Sequence, residues 1–160
     1  MKADIELCKQ LGCHGIVSGV LNADNTLDAT RTQELIALSK PLPFTFHRAF
    51  DEVPNPEETL EKLIELGVSR LLTSGQQTSA EKGIDLLIQL KKQTQDRLTI
   101  LPGSGINPSN AKLFKEANFK EIHASASVII ETKNSSHYNE PITVSSKEII
   151  RDILKVISLH

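Results

Sequence analysis

The segment Phe46-His47-Arg48-Ala49-Phe50-Asp51 carries a proton-transfer group, a planar cation and a carboxylate within one short stretch. A guanidinium at Arg48 matches the fork of a carboxylate or phosphate, His47 can move protons, and Asp51 can orient either one. The same three residues also read as a strand-end ion pair in which Asp51 steadies the following turn. Strict strand alternation would send His47 and Arg48 to opposite faces. Three further polar clusters follow: Thr73-Ser74-Gly75, Pro102-Gly103-Ser104-Gly105 and His123-Ala124-Ser125. Gly103, Ser104 and Gly105 precede a helix start at Asn107, where free amides attract anions, although a tight turn alone also requires glycine. Neither Ser74 nor Ser125 lies in a GxSxG elbow, so the expected work of these hydroxyls is turn and cap hydrogen bonding. The anion-binding candidates are therefore Arg48, Ser74, Gly103, Ser104, Gly105 and Ser125. The acid–base candidates are His47, Arg48, Asp51 and His123.

Softer chemistry resides near the start of the chain, at Cys8, Cys13 and His14. Thiolates prefer Cu(I) or zinc, and imidazole can join them. Against a metal site, Cys8 falls on the apolar stripe of a helix, where cysteine serves as a small hydrophobic residue. Cys13 and His14 fall in a helix-to-strand loop, at the end opposite the polar clusters. The sequence has no CxxC pair and no HExxH.

These residues need elements to position them, and the pattern alternates helix and strand throughout. Residues 2–11 read as a helix that Gly12 ends, and residues 15–20 as a short apolar strand. Residues 30–39 are helical, and Phe44–Arg48 is a strand. Asn55-Pro56-Glu57-Glu58 predicts a helix start with Asn55 as cap, Pro56 at the first position and Glu58 completing a capping box. Strands are expected at 69–73, 97–101 and 120–124, with helices at 79–93 and from Asn107-Pro108. Each polar cluster sits where one of these strands ends. Parallel strands with crossover helices would align those ends at one mouth. Residues 131–144 read as a polar loop, and residues 146–158 as a closing amphipathic helix.

The totals bound the class. The chain has 160 residues, 39% hydrophobic and 24% charged, with a formal net charge of -2. These are values for one globular domain. No basic run points to nucleic acid or an anionic membrane surface. No segment reaches the roughly 20 apolar residues of a spanning helix, and the opening MKADIELCKQLG lacks a signal-peptide core. Two cysteines without a secretory signal suggest free thiols in the cytoplasm.

Taken in order and spacing, MKADIELCKQLGCHGIVSGVL, PLPFTFHRAFDEVPNP, GVSRLLTSGQ, ILPGSGIN and EIHASA resemble the copper homeostasis protein CutC family. The resemblance covers nearly the whole chain. It implies a partial TIM-type (β/α) barrel, a single domain over residues 1–160 with about five parallel strands and the first three barrel strands missing. It further implies Cu(I) as cofactor or cargo, a role in copper binding or trafficking, and homo-oligomers. The polar mouth residues themselves suit a small anionic ligand better than a soft metal, which leaves a barrel enzyme acting on a phosphorylated or carboxylated substrate as the alternative.

Overall fold

The structure, a computed structural model, describes residues 1–130 and 142–158. Helix α1 (Lys2–Gln10) leads into β1 (Ile16–Ser18), followed by α2 (Ala29–Ser39), β2 (Phe44–Phe46) and a 3-10 turn over Arg48–Glu52. Then come α3 (Pro56–Glu65), β3 (Arg70–Thr73), α4 (Ile84–Thr94), β4 (Thr99–Pro102) and α5 (Ala111–Glu116). β5 (Ser127–Ile130), β6 (Ile142–Ser145) and α6 (Lys147–Ser158) complete the described chain. No helix among the described residues is long and apolar enough to cross a membrane.

Strands β1 to β4 form one parallel sheet in chain order. Its register aligns Ser18 with Phe46, Phe46 with Leu71, and Leu71 with Ile100. That row faces the helices, and Phe46, Leu71 and Ile100 are buried there with Leu60, Leu63 and Leu87. The next row, Val17, Thr45, Arg70 and Thr99, alternates to the other face.

Three helices end alike. In α1, Cys13 N–H donates to Cys8 C=O and Gly12 N–H to Lys9 C=O. In α3 the same pair of bonds runs Val68 to Leu63 and Gly67 to Ile64, and in α5 Phe119 to Phe114 and Asn118 to Lys115. Gly12, Gly67 and Asn118 hold the left-handed conformation that this Schellman ending requires.

Several expectations need correction. The fifth strand at 120–124 reduces to a single parallel bridge, Gly103 to His123, because only His123 N–H reaches back to Pro102 C=O. Residues 142–144 of the segment read as loop belong to β6, which runs antiparallel to β5; residues 131–141 of that reading lie outside the described residues. Asn55 occupies the cap of α3 without a side-chain cap bond, and Glu58 pairs with Lys62 at 2.7 Å instead of closing a capping box. The helix expected from 79 begins at Ile84, after a turn through Gly83. The helix expected from Asn107 begins at Ala111, because Asn107 Oδ1 accepts from Ser109 and holds a turn first.

Candidate functional site

Asp51 organises the C-terminal ends of β2 and β3. Its side chain is 6% exposed. Oδ1 accepts from Thr73 Oγ1, from Ser74 N–H at 3.0 Å and from Gln76 N–H at 3.3 Å. Oδ2 accepts from Arg48 Nε at 2.7 Å and lies 3.0 Å from Ser74 Oγ. Arg48 reaches it because the chain leaves the strand at His47 and turns into the 3-10 segment, so strand alternation no longer governs Arg48. The guanidinium also donates through Nη2 to Ser74 Oγ at 3.2 Å. The single Ser74 proton has two acceptors in range, Asp51 Oδ2 and Gln77 C=O at 2.6 Å. The cluster is therefore a charged pair whose lone pairs are taken up by backbone amides and hydroxyls of the β3 turn.

His47 caps the 3-10 turn. Its Nδ1 accepts from Ala49 N–H at 3.2 Å, which leaves the proton of the neutral ring on Nε2. A Cβ at Gly19 would fall 2.8 Å from that Nδ1, so the ring rests on the end of β1.

The β3 turn depends on two glycines. A Cβ at Gly75 would approach Gly83 O to 2.3 Å, and one at Gly83 would approach Ser74 O to 1.9 Å. Gln76, with φ 58°, follows Gly75 and ties the turn to Val53 C=O through Nε2 at 2.6 Å. Sequence reasoning passed over Gln76 and Gly83. A glycine inside the helical pattern at 79–93 was the available signal for Gly83.

The Gly103-Ser104-Gly105 turn is held by its neighbours. Ser104 Oγ donates to Thr78 C=O at 3.2 Å, and Gly105 C=O accepts from the side-chain amides of Asn107 and Asn110, both at 3.0 Å. Gly103 N–H continues the ladder to Thr73 C=O, and a Cβ there would meet the Leu72 and His123 side chains. His123 is exposed on the outer side of Gly103. Ser125 is exposed too, with Oγ 3.1 Å from that of Ser127. Arg48, Asp51 and Ser74 thus meet directly, and Gly103 and His123 continue the same row of strand ends. Ser104, Gly105 and Ser125 attach to other partners.

At the opposite end, Cys8 and Cys13 are half-buried and free. Hydrogen bonding from Cys13, reinforced by burial, pushes the Cys8 thiol above its ordinary range. His14 is exposed beside them. Among the described residues no three His, Cys, Asp or Glu side chains gather as a metal-holding group.

Fold and site together define a parallel α/β protein with polar groups collected at the strand C-termini. The chain belongs to the CutC family, whose pattern matches residues 1–128. It is similar to the CutC family protein of Parabacteroides distasonis, 45% identical over 147 residues, covering 91% of this chain and 60% of that protein. The corresponding protein of Chromobacterium violaceum is 48% identical over 127 residues, 79% of this chain and 51% of its own length. The crystal structure of the putative copper homeostasis protein CutC from Streptococcus agalactiae superposes with a TM-score of 0.72 at 25% identity, over 76% of this chain and 60% of that one. The chain therefore spans about half to three fifths of the length of these relatives.

Proposed function

We propose that this chain serves copper homeostasis as a cytoplasmic Cu(I)-binding protein without catalytic turnover, built as an arc of a parallel barrel and acting as a homo-oligomer. Family membership supplies the copper role. One observation favours it over the enzyme reading: Arg48 Nε and Nη2 are engaged by Asp51 and Ser74, so the guanidinium charge is already paired with a carboxylate and only the Nη1 side is left for an anion. Cys8, Cys13 and His14 are the candidate donors, two of them soft thiols suited to a monovalent d10 cation. The remaining acid–base candidates, His47 and His123, belong to the enzyme reading, which needs an anionic substrate held by Arg48.

The test is competition between the reduced protein and a Cu(I) chelator, followed by native mass spectrometry. Retention of copper by the protein supports the reading. Complete transfer of copper to the chelator, with inorganic phosphate bound instead in a parallel titration, would replace it with the enzyme reading.

A further inference from the structure

The three Schellman endings supply an internal comparison. Each sets the side chain three positions inside the helix against the one two positions beyond the cap. In α5 these are Phe114 and Phe119, whose ring centroids are 6.3 Å apart in an edge-on contact. In α3 they are Leu63 and Val68, both buried. In α1 they are Cys8 and Cys13, joined by the same backbone bond at 2.9 Å. The motif that pairs two aromatic rings in one helix and two aliphatics in another therefore pairs two thiols in the first. Unlike their counterparts at Leu63, Val68 and Phe114, the thiols are only half-buried. Cys8 lines an open cleft of about 210 Å³ with Met1, Ile5 and Ile16, which gives a small ion a way in.

We infer that the Schellman ending of α1 presents Cys8 and Cys13 as a two-coordinate thiolate site for a monovalent d10 cation. That the cation is Cu(I) rests on the copper reading above. Two donors suffice for such an ion, whereas a tetrahedral zinc site takes four. This fits a place where no three classical donors converge. Binding is a ligand exchange without redox change. Each thiol releases one proton, two Cu–S bonds form, and the complex carries one negative charge.

The experiment uses the reduced 160-residue chain, Cu(I) presented from a competing chelator, and the variants Cys8→Ser and Cys13→Ser, with circular dichroism confirming that each variant folds. The wild type should hold one Cu(I), and each serine variant, left with one of two thiolates, should lose at least about a hundredfold in affinity, since an outer-shell partner alone is worth about 10- to 100-fold. Copper-edge X-ray absorption should show two sulfur neighbours. Copper retained by both folded serine variants would overturn the thiol pair while leaving the copper reading intact. A first shell containing nitrogen or a third sulfur would overturn the two-coordinate form. No uptake by the wild type would overturn both inferences.

Discussion

Arg70 and Glu121 form a two-pronged ion pair, Nε to Oε2 at 2.8 Å and Nη2 to Oε1 at 3.0 Å. It joins the first residue of β3 to the segment that leads into His123, across 51 positions of sequence. The backbone ladder reaches that segment only at the Gly103–His123 bridge. A side-chain fork therefore does part of the docking that a fifth strand would have done. Both partners are more than a third exposed, so solvent screens the pair and its coupling should be about 0.5–1 kcal/mol. A double-mutant cycle of Arg70→Met and Glu121→Gln in urea melts measures it. The coupling should shrink in high salt, and salt-insensitive coupling would point to packing of the arginine stem instead.

Asp51 should matter far more. Its buried carboxylate is the shared acceptor for the turn after β3, and removing it strands Arg48, Thr73 Oγ1 and two backbone amides at once. Asp51→Ala should cost about 3–5 kcal/mol, because the Thr73 hydroxyl and the Ser74 and Gln76 amides lose their acceptor, at about 1–3 kcal/mol for each that stays buried. Arg48→Ala should cost less, about 1.5–3 kcal/mol as for one hydrogen bond to a charged group, because the buried carboxylate keeps its bonds from Thr73, Ser74 and Gln76. Equal losses for the two in chemical denaturation would contradict a carboxylate-centred hub.

Gly83 sets a steric prediction. The Cβ of an alanine there would sit 1.9 Å from a backbone oxygen, and no rotamer change relieves a backbone clash. Gly83→Ala should destabilise by about 3 kcal/mol or more, at the top of the overpacking range. Gly67→Ala offers a contrast, because open space surrounds it and only its φ of 84° resists; about 1 kcal/mol is expected. Comparison of their urea midpoints separates collision from backbone preference.

These cases show what the chain reveals and what it hides. The β2–α3–β3 order and the Gly12 and Gly67 stops are readable, because apolar period and glycine punctuation are local signals. The turn at Arg48–Glu52 is not, since its stability comes from Asp51 accepting bonds from residues 22 to 25 positions away. Gly83 lies within the 79–93 span that reads as helix, and only the fold brings Gly75 and Ser74 against it. The segment 120–124 has strand-like composition, yet only His123 reaches its neighbour's carbonyl. Cys8, Cys13 and the Gly12 stop are likewise readable, but that one backbone bond joins the two cysteines follows only from where the helix actually ends, at Leu11.

The surface carboxylates set an acid limit. Lys120, bonded at 2.7 Å, holds Asp96 below the usual carboxylate range. Arg97 and then Gln93 do the same for Glu61. Because the folded-state values are lowered, their contribution is present above the unfolded values near pH 4 and is lost as pH falls through the folded ones. Carboxyl NMR titration should place both groups below their ordinary values. Lys120→Met should return Asp96 upward without moving Glu61, and a shift of both would imply a general change in the folded state.

The strands β5 and β6 lead to the last expectation. Val128, Ile129, Ile130, Ile142 and Val144 are all exposed, and neither strand contains a charged residue. A two-stranded hairpin is marginal by itself, and uncharged edges invite pairing with another chain. Helix α6 adds exposed Ile150 and Leu154, while on the parallel sheet Val17 is 63% exposed. Two surfaces could thus drive association, and they can be separated. Sedimentation velocity at roughly 0.1 mM should show self-association, the concentration range in which exposed strand edges cause it. If the hairpin is responsible, Ile129→Lys with Val144→Lys should yield monomer, with unfolding of the parallel sheet shifted by no more than about 0.5 kcal/mol, as for surface changes. If the sheet face is responsible, Val17→Lys should do so instead. A chain that stays monomeric throughout, with one sharp unfolding transition, would show that neither apolar surface needs a partner.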